Sequence, residues 1–352
     1  MPTLESLISS LQGRPDTTEI LRQFRPPDRF ASKHFDDYHP GHPTQEVAAE
    51  RLRRLADSIS RPGRGTLASA GLKRVRDLLS PAPDARYRGI YLDGGFGVGK
   101  THLLAALWNA TPAPKAFLSF DELMYFIGMV GPAGAAESFD GHRLIAIDEW
   151  ELDDPGNLKM ALAFLRGAIE RRIFVAVTSN TLPLELGEGR FSQKDFRSEV
   201  EELASAFEVV RIAGDDYRHR HFEARPGAEY FADSLPAPVS VAPDRALEEE
   251  FGRFIEALSA LHPIRYRDLV KKLDHLALRQ VVRIDTLPAA LRWVHFIDAA
   301  YDSDLEFAAT ASIALGDLFP ADAMDGPYGK KFSRCLSRLE EMLRESGTRR
   351  GP

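Results

Sequence analysis

The stretch GGFGVGKTH, from Gly94 to His102, puts four glycines, a lysine and a threonine hydroxyl within nine residues. Its spacing, Gly94-x-x-x-x-Gly99-Lys100-Thr101, is that of a loop that cradles phosphate. Glycine admits positive φ, so successive backbone N–H groups can turn inward and form an anion nest. A helix starting at Lys100 would aim its positive end at the same anion. Lys100 then supplies a point charge for the β- and γ-phosphates, and the Thr101 hydroxyl a ligand for Mg2+. The candidate cofactor contacts are Gly94, Gly95, Phe96, Gly97, Val98, Gly99, Lys100, Thr101 and His102, and the cofactors implied are ATP and Mg2+.

Two further runs end in polar groups of the right kind. LIAIDEW carries Asp148 and Glu149 at the end of an apolar stretch. Ionised carboxylates there are costly unless a ligand uses them. Asp148 suits Mg2+ beside Thr101, and Glu149 suits the orientation and polarisation of an attacking water. VAVTSN ends in Thr178-Ser179-Asn180, and the Asn180 amide offers a donor and an acceptor for a γ-phosphate and a water. The catalytic candidates are Lys100, Glu149 and Asn180, completed by an arginine from a neighbouring copy as in AAA+ motors. Arg190, in GEGRF, is preferred for its glycine-rich flanks, and Arg197, in KDFRSE, is the second candidate. Arg334 and Arg338, four apart on one helical face, are candidates for a second sensor. The plainer readings are a glycine-rich turn, a solvated strand end and a turn-capping asparagine. Three motifs in this order favour the chemical reading.

These groups need a scaffold that brings strand ends together. YRGIYLD, KAFLSF, RLIAIDEW, IFVAVTSN and FEVVRI read as strands, with helices from Lys100, over DELMYFIGMV and over NLKMALAFLRGAIERR, and a loop over PAGAAESFDG. Leu103, Leu104 and Leu107 make the buried face of the first of these helices. Continuous apolar strands alternating with helices predict an α/β fold, a P-loop NTPase of AAA+-like type: a three-layer sandwich around a parallel sheet. Beyond the proline-rich SLPAPVSVAPD, the sequence predicts an α/β extension with a helix over ALEEEFGRFIEALSAL, strands QVVRI and EFAATASI, and a final amphipathic helix, KKFSRCLSRLEEML. The expected division is an irregular arm at 1–45, an ATPase core at 46–235 and the extension at 236–352. Leu144 to Asn180 and Val281 to Ser312 share a faint order of strand, acid, helix and strand, with Asp285 where the first copy has Asp148.

The chain has 352 residues, 44% hydrophobic and 28% charged, with a net charge of −7. These values fit packed globular domains and argue against a protein that coats nucleic acid, which needs a cationic surface. One cysteine, Cys335, allows no internal disulfide, so a cytoplasmic location is expected. No secretory signal or membrane-spanning run is read. The basic runs ERLRRL and KRVRDL read as solvated helix faces. His219 and His221 lack the further ligands of a metal site.

Several segments together resemble the AFG1-like ATPase family in its bacterial, ZapE-type branch: RFASKHFDDYHPGHPTQ, GGFGVGKTHLL, IDEWELDD, VAVTSNTLPLEL, GDDYRHR, WVHFIDAAYDSDL and KKFSRCLSRLEEM. The resemblance implies an AAA+-type ATPase that forms homo-oligomers and associates in an ATP-dependent way with the cytokinetic ring and its FtsZ polymer. It carries the phosphate loop onto Gly94 to Thr101, the acid pair onto Asp148 and Glu149, and the sensor onto Asn180. It also places Gln45 in an element near the adenine. Two other functions share these motifs: a loader-type ATPase acting on nucleic acid, and a nucleotide-gated scaffold with little turnover. A small-molecule kinase is disfavoured by Asn180 and the long C-terminal addition.

Overall fold

The computed structural model describes residues 2–13, 16–60, 89–95, 97–152, 155–185, 196–214, 235, 242–326 and 328–348. Phe96, Arg190, His219, His221 and the run KRVRDL lie outside them. The chain forms two compact units, one of Thr17–Pro26 and Phe30–Glu223, the other of Met1–Asp16, Pro27–Arg29 and Ala224–Pro352.

In the first unit, β1 (Gly89–Gly94), β2 (Lys115–Ser119), β3 (Leu144–Asp148), β4 (Phe174–Ser179) and β5 (Phe207–Ile212) form a parallel sheet in the order β2-β3-β4-β1-β5. The strands are mostly apolar, and alternate residues face opposite sides. Ile90, Leu92, Phe117, Leu144, Ala146 and Ala176 share one core with α4 (Lys100–Ala110) and α3 (Pro43–Ser60). On the other side run α5 (Phe120–Ser138), α6 (Pro155–Glu170) and α7 (Arg197–Ser205), and there Phe139 meets Phe126 and Phe164 edge-on. The result is a three-layer α/β sandwich. Leu103 through Leu107 are all at 0% exposure. The helix after the glycine-rich loop is thus buried all round, not along one face, because α3 covers the side turned away from the sheet.

PAGAAESFDG is not all loop. Helix resumes after a kink at Gly131 and continues to Ser138. Pro132 fits the first turn of that second segment, where its missing N–H is not needed, and Ala135 and Ala136 are buried.

In the second unit, β6 (Ala246–Glu250), β7 (His275–Val281) and β8 (Glu306–Ala311) form a smaller parallel sheet in sequence order. It is packed by α8 (Phe251–Leu258), α9 (Tyr266–Val270), α10 (Leu287–Asp302), α11 (Ala321–Met324) and α12 (Gly329–Thr348). Trp293 and Phe296 lie fully buried at its centre, with Phe254, Tyr266 and Phe307. Two sequence expectations shift here. ALEEE is strand, not helix. Glu248 and Glu250 leave the helical pattern because both bind Arg279 of β7, at 2.6 and 2.9 Å, a cross-strand pairing that overrides local propensity. The neighbouring strand is HLALRQV, because its apolar half is the buried one.

The arm at 1–45 is not irregular throughout. It contains α1 (Leu4–Ser9) and α2 (Thr17–Gln23). Thr3 caps α1 by accepting the Ser6 N–H at 3.2 Å. Leu4, Leu7 and Ile8 then fall on one face and join the core of the second unit. The repeat noticed in the sequence is topological only: Asp285 is exposed and paired with Arg283 at 2.7 Å.

Trp293→Ala is expected to lower unfolding free energy by about 3–5 kcal/mol, from lost burial and a residual cavity. A shift of the urea midpoint with an unchanged slope would show it. A loss under 1 kcal/mol would mean that the core can collapse around the gap.

Candidate nucleotide site

The site lies where the carboxyl ends of β1, β4 and β3 meet the first turn of α4. Because β4 runs between β1 and β3, the residues that end β4 separate the glycine-rich turn from the acid pair. Gly97 and Gly99 turn the loop with φ of 66° and 88°, conformations that glycine adopts without steric cost. Lys100, 9% exposed, folds its ammonium back over the loop. It donates to Gly94 O at 2.7 Å, Gly95 O at 2.6 Å and Asn180 Oδ1 at 2.8 Å.

Next to it, the Thr101 hydroxyl donates to Asp148 Oδ2 at 3.0 Å. Asp148 is buried and also accepts from the Thr178 hydroxyl. Burial, then the charge of Glu149, pushes the Asp148 carboxyl above the ordinary range, against the pull of these two hydroxyls and of Lys100. A hydroxyl and a carboxylate in contact are hard oxygen donors of the kind Mg2+ takes. Among the described residues, no group of three or more His, Cys, Asp or Glu side chains offers a metal cage.

Thr178 does more than meet Asp148. Its hydroxyl accepts the Glu149 N–H at 3.0 Å, and its carbonyl accepts the Trp150 N–H at 2.7 Å. Ser179 Oγ then donates to Trp150 O at 2.8 Å. The chain after β3 is thereby folded over the end of β4, which holds Glu149 at φ 54°. A non-glycine residue persists in that left-handed region only where its surroundings enforce it. Trp150, fully buried against Phe120, is the anchor.

A segment before α3 clasps the loop from outside. The Tyr38 hydroxyl donates to Val98 O at 2.9 Å, and a Cβ on Gly99 would come within 2.5 Å of the Tyr38 ring. Gln45 is buried; its Oε1 accepts the Gly41 N–H at 2.7 Å and its Nε2 reaches Val98 O at 3.5 Å. His102 Nε2 lies 3.1 Å from His34 O. Burial pushes the His102 pKa down, which suits a neutral ring donating from Nε2.

A sequence model of the AFG1-like ATPase family matches residues 29–240 and 242–350. The chain belongs to the AFG1-like ATPase family. No curated protein matches it by sequence. Among solved structures, DnaI aligns at 17% identity and a TM-score of 0.39, over 60% of this chain and 98% of that one. AMPPCP-bound DnaA from Aquifex aeolicus aligns at 14% and 0.37, over 52% and 50%. A structure on katanin self-assembly aligns at 14% and 0.33, over 95% and 98%. Nothing about function follows at these identities and scores.

In this AFG1-like chain, then, Gly94, Gly95, Gly97 to Lys100, Thr101, Asp148, Glu149 and Asn180 all lie along one edge of one sheet. Of the arginines, Arg197 is exposed and paired with Glu201 at 2.7 Å. Arg334 and Arg338 do share a face, and both bind Asp298 of α10 in the second unit. Burial alone would raise the Asp298 carboxyl, but Arg334 and then Arg338 hold it down to about 2. Sequence reasoning assigned no role to Thr178 or Tyr38. A threonine near a strand end and a tyrosine in a proline-rich segment are common, and neither spacing announces a contact.

Burial pushes the Tyr38 hydroxyl up to about 12. The folded protein therefore keeps this proton where an unfolded tyrosine, at about 10, loses it. The stabilisation is complete below about pH 10 and disappears as pH rises toward 12. In urea titrations across this window, Tyr38→Phe should fall less steeply in stability than wild type. Parallel curves would show that the hydroxyl contributes nothing.

Proposed function

We propose that this AFG1-like chain binds ATP with Mg2+ and hydrolyses it. One observation carries the reading: Lys100 touches Asn180 while its neighbour Thr101 touches Asp148. Phosphate-binding, sensing and metal-binding groups thus converge from separate strands. The loop N–H groups and the amino end of α4 bind the phosphate tail. The Lys100 ammonium exchanges carbonyl oxygens for β- and γ-phosphate oxygens. Mg2+, held through Thr101 and Asp148, supplies charge neutralisation to the phosphates. Glu149, fixed by its left-handed backbone, accepts a proton from the attacking water, and Asn180 aligns that water with the γ-phosphate. An arginine of a neighbouring copy, with Arg190 preferred, completes the site in a homo-oligomer. Nucleotide state then sets oligomer geometry and partner binding. By resemblance to the ZapE type, the partner is FtsZ within the divisome, and the setting is the cytoplasm at the division site. Among the described residues, no helix is long and apolar enough to cross a membrane.

Lys100→Ala should weaken ATP binding at least about thirtyfold, as loss of a desolvated charge partner does. Glu149→Gln should bind ATP like wild type and lose about 10²–10⁴ in kcat. Calorimetry and phosphate release read the two. Undiminished binding by Lys100→Ala removes the site. Binding without turnover in wild type leaves a nucleotide-gated scaffold. A specific rate that climbs with protein concentration supports a shared site, and a flat one removes the arginine in trans. ATP-dependent cosedimentation with FtsZ polymer tests the partner. Tight, salt-sensitive capture of single-stranded DNA instead would favour the loader reading.

A further inference from the structure

The residue after Trp150 has no place in the scheme above. Glu151 is half-buried, and its Oε1 lies 3.5 Å from Asn180 Nδ2. On the other end of the same amide, Oδ1 accepts from the Lys100 ammonium at 2.8 Å. An asparagine amide has two nearly isosteric orientations, related by a half-turn about its last bond. They differ here in electrostatics. With Oδ1 toward Lys100, a carbonyl meets a group that only donates, and an NH2 meets a carboxylate that only accepts. After the half-turn both contacts become repulsive. The two opposite charges therefore select one orientation together.

We propose that Glu151 is a positioning residue that fixes which way the Asn180 amide faces and so determines what the sensor presents to the triphosphate. This rests on the ATPase reading for its consequence, but not for its geometry. When Lys100 turns to phosphate, its hold on Oδ1 weakens, and Glu151 keeps the orientation. One N–H of Asn180 remains on Glu151. The second stays free for a γ-phosphate oxygen, and Oδ1 faces the space Lys100 shares with the attacking water. A side chain at 151 that accepts nothing leaves the amide free to turn.

The backbone gives Glu151 its place. Trp150 is pinned on both sides, by its N–H to Thr178 O at 2.7 Å and by its carbonyl from Ser179 Oγ at 2.8 Å. The next residue must then emerge beside Asn180, which follows Ser179 directly. The anchoring of the acid pair and the placement of Glu151 are one construction.

The test uses the full-length protein with three substitutions. Glu151→Leu removes the acceptor at similar size, Glu151→Gln keeps an acceptor without the charge, and Asn180→Ala removes the group being positioned. Glu151→Leu should lower kcat about tenfold, the worth of a hydrogen bond to a charged group, with KM for ATP within twofold. Glu151→Gln should recover most of that loss. In the Asn180→Ala background, Glu151→Leu should change kcat less than twofold, since coupled groups are not additive. An undiminished effect there overturns the proposal, as does a loss that Glu151→Gln fails to recover.

A second readout needs no turnover. The side-chain amide signals of Asn180, identified by their absence in Asn180→Ala, should move or broaden in Glu151→Leu and stay near their wild-type positions in Glu151→Gln. Signals unmoved by Glu151→Leu overturn the proposal even if ATP is hydrolysed. Signals that move in a protein that never releases phosphate retire the ATPase reading and leave the positioning contact standing.

Discussion

The Thr178 hydroxyl is the hinge of the site. It donates to the buried Asp148 carboxylate and accepts the Glu149 N–H. A single side chain thus fixes both the Asp148 carboxylate and the backbone of Glu149. This is possible because β4 pairs directly with β3, and β1 lies on the other side of β4. Were β1 and β3 adjacent, Asn180 would have no path to the space between Lys100 and Asp148. The strained turn at Glu149 has the same origin, since a chain folded over the end of its neighbour must reverse within two residues.

Charge burial follows from that arrangement. Lys100 and Asp148 are each 9% exposed. Isolated ions at that depth would cost several kcal/mol each. Here the ammonium is met by two carbonyls and an amide oxygen, and the carboxylate by two hydroxyls. Neither set neutralises its partner's charge completely. The segment around Tyr38 and Gln45 holds the loop from outside through a hydroxyl and an amide.

The second unit is built on other terms. Among its described residues, Arg334 and Arg338 bind Asp298, and Arg29 binds Asp304 and Glu341. Arg29 also lies 4.0 Å over the Tyr301 ring. Fully buried aromatics, Trp293 and Phe296 among them, fill its centre. The echo of strand, helix and strand between the two sheets is one of topology, since Asp285, where the first copy has Asp148, is exposed and bound to Arg283.

The glycine-rich turn before Lys100 and the placing of Asp148, Glu149 and Asn180 at strand ends were legible in the amino-acid sequence, because each depends on local spacing. Glycines set a turn, a helix follows, and polar residues end apolar strands. The α/β class was legible for the same reason, since alternation of strand and helix is a property of neighbours in the chain. Strand order was not legible, nor was the fate of residues whose partners are distant. ALEEE reads as helix until Arg279 stands opposite, and the first residues read as an arm until a core from the other end of the chain takes up Leu4, Leu7 and Ile8. Thr178, Tyr38 and Glu151 acquire meaning only from contacts across 29 to 60 positions of sequence. Sequence by itself determined which groups are present and the local turns that aim them. The tertiary structure decided which of them meet, because hydrogen bonds and like or opposite charges act through space and take no account of distance along the chain.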